Sequence, residues 1–373
     1  MVNFIIIVFL LLTAISVVLF AIGIKEAFQN LLMKRSKKKL QLKVAGKKYI
    51  GNQLVELTLK RKFPLLPLPG FLPGQYISLK FNISGKDIER CYSLANWSRF
   101  PFCYKLVIKR EPQGICSGHI YDHLTVGDFV QASMPTGKFY YDRVNSFGNI
   151  VLVAGGVGIT PMRSMWEYLQ KHKKKGQNVV LFYSAKYRDE LCYFEDFLKE
   201  ADKSKGFYFY PFLSQEAVDA TINSGRLSAR VISTFIAVKD ISRLYMCASA
   251  QMMEDLRNGL IQAGMSEENI HFELFGVSHT GEAKACKISL GKSCTMDYEG
   301  KGTLYQFLET AGCKINGFCK AGICGNCKVK INSGKVKYLL KPDCKLNEGE
   351  ILPCCCIPES DIILDELNLK RAI

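Results

Sequence analysis

The sequence lacks a regular spacing among its fifteen cysteines, which are spread over 373 residues. Secreted disulfide proteins are short and carry their cysteines in a dense framework, so this class is disfavoured. A reducing compartment is the better interpretation, with some cysteines as metal ligands and the others as small buried apolar residues. The composition also lacks the bias of disordered or fibrous proteins, and the chain length predicts two to four domains.

Charge is absent from a long stretch near the N-terminus. Residues Phe4 to Gly23 are twenty uncharged and mostly apolar residues, about 30 Å as a helix and enough to span a bilayer. A cleaved signal peptide is the alternative. However, the leading Met1-Val-Asn3 carries no positive charge and no clear small-residue cleavage site follows the apolar run. We therefore predict an uncleaved transmembrane anchor within residues 1–33.

Acidic residues are scarce just after this segment. Residues 24–62 contain 12 Lys/Arg and 2 Asp/Glu, and the densest run is Lys34-Arg-Ser-Lys-Lys-Lys39. The positive-inside tendency predicts a basic juxtamembrane linker at 34–42, with the remaining domains in the cytoplasm of a single-pass membrane protein. Such a linker suits anionic lipid headgroups. Because the run lacks interleaved aromatic residues and lies beside the apolar segment, a nucleic-acid partner is disfavoured.

Residues 43–146 show short alternating apolar and polar segments between Pro/Gly turns, for example Gln53–Lys60, Tyr76–Phe81 and Tyr104–Lys109. This pattern predicts an antiparallel β-barrel or sandwich. Arg90 offers a guanidinium fork for a phosphate, while Tyr92 and Ser93 offer a ring face and a hydroxyl. An ordinary strand with a surface arginine is the alternative for these residues alone.

Residues 147–276 predict an α/β domain with a parallel sheet. The buried-strand pattern of Asn149–Ala154 continues into Gly155-Gly-Val-Gly-Ile-Thr-Pro161, and similar runs recur at Val179–Ser184 and Leu244–Ala248. Glycines at such a turn bring backbone N–H groups close to a phosphate at a helix N-terminus. Alternating strands and helices therefore predict a nucleotide at the carboxyl edge of the sheet.

After a linker at 277–284, residues 285–373 carry the spacing C-x4-C-x2-C at Cys319, Cys324 and Cys327. With a fourth cysteine well downstream, this is the arrangement of a plant-type [2Fe-2S] site. A structural zinc site is the alternative, but such sites more often use paired C-x2-C hooks.

The first domain resembles the flavin domain of the ferredoxin-NADP reductase superfamily through its Arg-x-Tyr-Ser motif at Arg90, Tyr92 and Ser93. The resemblance implies that the arginine meets the flavin phosphates, the tyrosine packs on the isoalloxazine and the serine hydroxyl lies near flavin N5. Gly114 to Ser117 resembles the loop that closes on the FAD pyrophosphate. FAD is the implied cofactor, with FMN as the alternative.

The second domain resembles the nucleotide domain of the same superfamily. The resemblance assigns the following residues to NAD(P)H binding: Gly155, Gly156, Gly158, Thr160 and Pro161. It places Thr160 and Cys247 beside the nicotinamide, although Cys247-Ala-Ser departs from the usual Cys-Gly-Pro and a small core residue is the alternative. Glu273 and Phe275 match the residues bordering the flavin, with a plain strand end as the alternative. After the second strand of this domain, Lys186 and Arg188 favour the 2'-phosphate of NADPH and Asp189 favours the 2'-hydroxyl of NADH, so the nucleotide is left open.

The third domain resembles plant-type ferredoxins fused to reductases, which implies an α+β (β-grasp) fold. In those relatives the last ligand precedes a proline by four positions, so Pro358 implies Cys354 as the fourth ligand. We expect an extended segment here, with Cys355 pointing away from the ligand side and Cys356 returning to it. Both are then packing residues.

These three resemblances imply a multi-domain, membrane-anchored NAD(P)H-dependent reductase. Electrons would pass from NAD(P)H to FAD, then to the [2Fe-2S] cluster, then to a partner protein. The anchor suggests an iron oxygenase, hydroxylase or desaturase as that partner. A soluble redox acceptor and a non-catalytic relay subunit of a membrane redox complex are the alternatives. The final substrate and the oligomeric state are left open.

Overall fold

The computed structural model describes residues 39–63, 65–112, 114–142, 148–276, 283–291, 293–315, 321–322, 325–342, 344–365 and 370–371. The predicted transmembrane anchor and most of the basic linker lie outside these residues. Within them, every helix is too short or too polar to cross a bilayer.

The first folded region is a barrel-like antiparallel sheet with strand order β4-β3-β6-β1-β2-β5. Its elements are β1 (Leu40–Ile50), β2 (Leu54–Arg61), β3 (Tyr76–Ile83), β4 (Lys86–Ser93), β5 (Tyr104–Lys109), α1 (Ile115–Asp122) and β6 (Phe129–Ala132). Alternating residues such as Val55, Leu57 and Leu59 fill the interior. Strand β1 begins inside the segment predicted as linker, because the side chain of Leu42 is buried in this core.

The second region is a six-stranded parallel sheet with strand order β10-β9-β8-β7-β11-β12. Its strands are β7 (Asn149–Gly155), β8 (Val179–Ala185), β9 (Phe207–Leu213), β10 (Asn223–Ser224), β11 (Ile241–Cys247) and β12 (Ile270–Glu273). Its helices are α2 (Ile159–His172), α3 (Phe194–Lys203), α4 (Ala229–Phe235) and α5 (Ala250–Gln262). The strand order reverses direction between β7 and β11, which is where parallel sheets of this kind bind ligands.

The barrel and the parallel sheet share one apolar core. Phe139 and Tyr141, which follow β6, pack in the same cluster as Met165 and Trp166 of α2. Hydrogen bonds cross the same boundary: the Trp97 backbone N–H donates to the Glu167 carboxylate at 2.6 Å. The two regions are therefore joined by buried packing as well as by the chain.

The third region is a five-stranded mixed sheet with order β14-β13-β20-β16-β18, covered by one short helix. Its main elements are β13 (Cys286–Leu290), β14 (Cys294–Tyr298), α6 (Leu304–Thr310), β15 (Cys313–Lys314), β16 (Val329–Ser333), β17 (Val336–Tyr338), β18 (Glu350–Ile351), β19 (Cys356–Pro358), β20 (Ile362–Leu364) and β21 (Lys370–Arg371). A capping box formed by Thr303 and Gln306 starts α6. The helix carries Leu304 and Leu308 into the core under the sheet.

Candidate functional site

A buried polar pair lies where the barrel meets the parallel sheet. Ser93 ends β4 and Glu273 ends β12, and their Oγ and Oε2 atoms are 3.2 Å apart although the residues are 180 positions apart in sequence. Ser93 is 4% exposed and Glu273 is 9% exposed. Burial raises the pKa of Glu273 to about 8. The hydrogen bond that Ser93 donates lowers this pKa, but by less than burial raises it. Glu273 therefore holds a proton at neutral pH.

Cys247 lies in register with this pair at the carboxyl edge of the sheet. It ends β11, opposite Ala154 of β7 and Glu273 of β12. Its side chain is fully buried, and burial followed by the nearby Glu273 carboxyl raises the pKa of its thiol well above the usual range. Cys247 is thus a neutral thiol at this site rather than a nucleophilic thiolate.

The glycine-rich turn after β7 packs directly against the end of β11. A Cβ on Gly158 would lie 1.9 Å from the Cys247 carbonyl oxygen, and one on Gly155 would lie 2.7 Å from Ala248 Cβ. Gly156 adopts a φ of 53°, in the left-handed region that favours glycine. The buried Thr160 hydroxyl donates to the Val157 carbonyl at 3.0 Å and stabilises the turn.

This turn leads directly into α2. Pro161 occupies its first turn, where a proline needs no hydrogen-bond acceptor for its nitrogen. The N-terminus of α2 therefore opens at the switch point between β7 and β11, next to Cys247. The arrangement fits the pyrophosphate and nicotinamide of a dinucleotide, as the sequence predicts.

Replacing Gly158 with alanine is expected to destabilise the chain by about 2–3 kcal/mol, because the added methyl group would clash with a backbone carbonyl. A backbone group cannot move aside by changing rotamer as a side chain can. Gly70→Ala is the matched control, since a Cβ there meets its nearest atom at an ordinary 3.7 Å. Thermal unfolding of both variants provides the measurement. Equal melting temperatures for the two variants would contradict this close approach.

The residues predicted to hold the flavin lie at the end of β4 and around the start of α1. Arg90 and Tyr92 are half-buried, and the Tyr92 hydroxyl contacts Cys116 Sγ at 3.4 Å. Burial, followed by Cys116, raises the pKa of Tyr92 well above its usual value, so the ring remains neutral. Cys116, which belongs to no sequence motif, therefore contacts the tyrosine that is predicted to pack on the flavin.

The loop from Gly114 to Ser117 forms a tight turn at the N-terminus of α1. The Ser117 hydroxyl accepts from the Glu111 backbone N–H at 3.1 Å and donates to the Gly114 carbonyl at 3.2 Å. A Cβ on Gly114 would lie 2.2 Å from Ser117 Oγ and 2.8 Å from Glu111 Cβ, so a larger residue would displace the Ser117 hydroxyl from its two hydrogen bonds. Ser117 lies in the first turn of α1 and stabilises the start of the helix, and this helix N-terminus suits a flavin phosphate. Phe275 lies two residues beyond Glu273 with its ring exposed.

The iron–sulfur ligands predicted from the sequence are described only in part. Cys319 and Cys324 lie outside the described residues, whereas Cys327 and Cys354 lie together in one buried cluster. The Gly322 backbone N–H donates to Cys354 Sγ at 3.3 Å. Among the described residues there is no group of three or more metal-ligand side chains, which follows from the two cysteines outside them. The two thiols are neighbours, and one of them accepts a hydrogen bond from a backbone N–H. This arrangement fits the ligands of an iron–sulfur cluster.

The triple cysteine does not run as the extended segment that the sequence predicts. Pro353–Cys355 forms a single 3-10 turn, and only from Cys356 is the chain a strand. As a result Cys355 stays on the Gly322 side, where its Sγ would lie 3.1 Å from a Cβ on that glycine, rather than pointing away. Cys356 instead enters the core under the sheet. A proline at the start of the turn and a hydrogen bond from the Cys355 N–H to the Leu352 carbonyl at 3.1 Å explain the departure.

One contact between the barrel and the third region could not be predicted from the sequence. Arg90 Nη2 lies 2.9 Å from Glu309 Oε1 on α6, and the Tyr305 hydroxyl donates to the same oxygen at 3.2 Å. Tyr305 packs in the buried cluster that contains Cys327 and Cys354. A short chain of contacts therefore joins the predicted flavin-phosphate arginine to the predicted iron–sulfur site. The two partners are 219 residues apart, so no local pattern could have found them.

In the stretch after β8 that is predicted to select between NADH and NADPH, one charged side chain is already engaged in an ion pair. The Arg188 guanidinium is held by the Asp219 carboxylate at 2.5 Å, while Lys186 and Asp189 remain exposed. One of the two cations available for a 2'-phosphate is thus already engaged.

Comparison with known proteins assigns a domain family to each region. Residues 41–141 match the oxidoreductase FAD-binding domain, residues 152–258 the oxidoreductase NAD-binding domain, and residues 288–359 the 2Fe-2S iron-sulfur cluster binding domain. The predicted cofactors FAD, NAD(P)H and [2Fe-2S] are confirmed by these matches. The roles of individual site residues stay predictions.

Two curated relatives have nearly the same extent as this chain. The E subunit of 1,2-phenylacetyl-CoA epoxidase from Escherichia coli (strain K12) is 27% identical over 333 residues, covering 83% of this chain and 93% of that protein. The glycine betaine monooxygenase reductase subunit of Pseudomonas aeruginosa (strain UCBPP-PA14) is 24% identical, covering 79% and 87%. Among solved structures, phthalate dioxygenase reductase has the same fold, with a TM-score of 0.64, 24% identity, and coverage of 88% and 98%.

Proposed function

We propose that this chain, an NAD(P)H-dependent oxidoreductase that passes electrons from NAD(P)H through FAD to a [2Fe-2S] cluster, is the membrane-anchored reductase of an oxygenase system. The observation that carries the proposal is the junction of Ser93, Glu273 and Cys247, where three strand ends from two domains meet. Such a junction can hold two ring systems against each other.

The side chains of this junction bind and orient. FAD, once bound, would supply the hydride and single-electron chemistry that side chains do not. Glu273 holds a proton at its buried carboxyl and fixes the Ser93 hydroxyl. The buried thiol of Cys247 and the glycine turn at Gly158 pack against each other on the nucleotide side. These residues contribute to catalysis by positioning two cofactors in a buried crevice.

The acceptor we propose is an iron oxygenase, hydroxylase or desaturase. Both curated relatives described above are named as parts of a monooxygenase or an epoxidase. From residue 283 onward the chain has 14 Lys/Arg and 10 Asp/Glu, so an acidic docking face on the partner is complementary to the iron–sulfur domain.

We further propose that residues 4–23 anchor the protein in a membrane with the domains on the cytoplasmic side. The uncharged run is long enough to span a bilayer, and the basic residues of 34–39 follow it. The proposal places donor and acceptor in the same two-dimensional space, which raises the frequency of productive encounters.

Anaerobic stopped-flow mixing with NADH and with NADPH tests the reductase function. Flavin bleaching followed by loss of the cluster absorbance is expected, and the ratio of the two rates identifies the preferred nucleotide. No bleaching with either nucleotide would overturn the proposal. Co-purification from detergent-solubilised membranes tests the partner, and recovery without any iron-containing oxygenase would remove that part.

The Arg90–Glu309 pair yields a prediction about electron transfer between the flavin and the cluster. Glu309→Gln is expected to slow cluster reduction about five-fold while leaving flavin bleaching unchanged. Loss of one half-buried ion pair weakens docking of α6 on the barrel by about 1 kcal/mol. The measurement is the rate of cluster bleaching after flavin reduction.

Glu299→Gln is the control for this variant. Glu299 belongs to the same domain and its partner Lys301 is 3.7 Å away, but both side chains are about four-fifths exposed, at 79% and 81%. Equal cluster-reduction rates in the two variants would show that the Arg90 contact does not hold the domains in their working position. Flavin content of both proteins is recorded to separate docking from flavin loss.

A further inference from the structure

The outer face of β1 and β2 collects positive charge. Lys43 and Lys60 are directly opposite in the strand register, and Lys62 follows on the same outward side. All three side chains are exposed, and among the residues that the structure describes none of them has an acidic partner within ion-pair distance. Like charges opposite each other weaken a sheet. Their placement therefore points to an external partner that neutralises them.

Large apolar side chains protrude beside these lysines. In the loop that follows β2, Phe63 is 71% exposed, Leu65 is 88% exposed and Leu66 is 67% exposed. Phe100 and Phe102 protrude from the loop before β5. Scattered exposed apolar residues are ordinary, but five on two adjacent loops form a patch of the kind that marks an interaction surface.

Hydrogen bonds hold the two loops together. The Leu68 backbone N–H donates to the Pro101 carbonyl at 2.6 Å, and the Trp97 indole N–H donates to the Phe71 carbonyl at 3.3 Å. These hydrogen bonds hold residues 68–71 and 97–101 against each other beside the protruding side chains. An ordered apolar projection loses little conformational freedom when it is buried.

Cations and apolar side chains are interleaved in this patch. Lys62 Nζ lies 5.7 Å from the Phe63 ring centre and 5.9 Å from that of Phe129, and the Arg99 guanidinium lies 5.5 Å from the Phe100 ring centre. We call the surface formed by Lys43, Lys60, Lys62, Phe63, Leu65, Leu66 and residues 99–102 the apolar-basic face. Charged heads around apolar tips are the pattern of surfaces that lie in a membrane interface.

The chain enters the barrel beside this face. Leu42 of β1 pairs with Arg61 at the end of β2, so residue 39 lies at the same edge as Lys62 and Phe63. Fifteen residues, 24–38, separate the apolar run from Lys39. Fully extended they reach about 50 Å. A barrel tied to a bilayer by such a tether meets the lipid surface far more often than it meets a freely diffusing partner.

We propose that the apolar-basic face rests on the anionic surface of the membrane in which the chain is anchored. The tips of Phe63, Leu65 and Leu66 enter the boundary between headgroups and acyl chains. Lys60 and Lys62 lie at the level of the lipid phosphates. The inference rests on the proposed anchor and adds to it a fixed orientation of the barrel, where a tether alone would let the barrel rotate freely.

Hydrogen exchange of the full-length chain in lipid vesicles tests this orientation. The probes are vesicles of phosphatidylcholine alone and vesicles in which phosphatidylglycerol replaces part of it. Amides of residues 60–72 and 97–103 are expected to exchange several-fold more slowly in the anionic vesicles. Lys60→Gln with Lys62→Gln, and separately Phe63→Ser with Leu66→Ser, should abolish this difference.

Two matched variants serve as controls. Lys174→Gln with Lys175→Gln removes the same charge from the parallel-sheet domain, and Tyr208→Ser removes an exposed aromatic ring there. Both should retain the slower exchange. Unchanged NAD(P)H-driven flavin bleaching in every variant shows that each one is folded.

Several outcomes would overturn the inference. Equal exchange of both loops in neutral and anionic vesicles, in a chain that floats with the vesicles, would refute the face while leaving the anchor intact. Slower exchange in detergent that grows with protein concentration would assign the face to a second copy of the chain. A chain that fails to float with vesicles refutes the anchor and the face together, and flavin bleaching by NAD(P)H would still support the reductase function.

Discussion

Replacing Cys354 with serine is expected to abolish the [2Fe-2S] absorbance, while the same change at Cys355 leaves it in place. Cys354 Sγ lies with Cys327 in a buried cluster and accepts a backbone N–H from Gly322. A cluster of this type needs four thiolates, and loss of one removes a ligand from one iron. Iron content, visible absorbance and the low-temperature electron spin resonance signal of the reduced protein provide the measurement.

Cys355→Ser is a demanding control because its sulfur also lies beside Gly322. Its thiol contacts the Leu352 carbonyl at 3.5 Å, and a serine hydroxyl can donate to the same oxygen. Cys356→Ser should also keep the cluster. It places a hydroxyl in the apolar core under the sheet, however, and should lower stability by about 1–3 kcal/mol. Loss of the spectrum in Cys355→Ser with retention in Cys354→Ser would shift the ligand assignment by one residue.

In the unmodified protein, the rate of flavin reduction by NAD(P)H is expected to fall as pH rises through about 8, and Glu273→Gln should remove this step. Burial raises the pKa of Glu273 to about 8. Ser93 Oγ donates to Glu273 Oε2 across a 3.2 Å contact. Below that pH the carboxyl proton can replace the serine proton as the donor in this contact, which would leave the Ser93 hydroxyl to donate to a flavin once it is bound. Above it, the carboxylate takes the Ser93 hydrogen bond and adds a negative charge to a dry site.

The expected size of this effect follows from hydrogen-bond energies in a buried site. Loss of one oriented donor costs about 2–3 kcal/mol, or about a hundred-fold in rate, so Ser93→Ala should slow flavin bleaching by that factor at every pH. Glu273→Gln should keep a pH-independent rate, because its amide can still donate to Ser93. A pH profile that keeps its step near 8 in Glu273→Gln would assign the titration to another group.

The same raised pKa links folding to pH. The carboxyl of Glu273 titrates near 4.5 when unfolded and near 8 when folded, so the folded chain binds more protons between these values. The contribution of Glu273 to stability is therefore fully present below about 4.5 and is lost as pH rises through about 8.

The sequence predicted the parts of the site that are encoded locally. Glycines before α2, the motif at Arg90 to Ser93 and the cysteine spacing each reflect a short-range requirement of backbone shape or ligand reach. Ser93, Cys247 and Glu273 could be placed at the ends of their strands because each of these strands has a clear burial pattern, while their roles toward nicotinamide and flavin stay predictions. Periodicity also identified the antiparallel and parallel sheets.

Features set by long-range packing were missed or misjudged. No sequence pattern indicates the ion pair between Glu309 and Arg90, because the contact depends on how two separately folded regions dock. The segment at Cys354 to Cys356 was expected to be extended, but a 3-10 turn after Pro353 redirected Cys355. The start of β1 at Leu40 was hidden by flanking lysines, which point outward while alternate residues are buried.

The apolar core shared by the barrel and α2 has a consequence for how the crevice behaves. Separating Ser93 from Glu273 would require Tyr168 and Tyr245 to lose their packing against Tyr141, which follows β6. The two domains therefore form one cooperative unit that contains the nucleotide crevice within it. The barrel and the parallel-sheet domain do not behave as independent bodies. The geometry of the crevice is therefore set when the chain folds, and not by a later closure of one domain on the other.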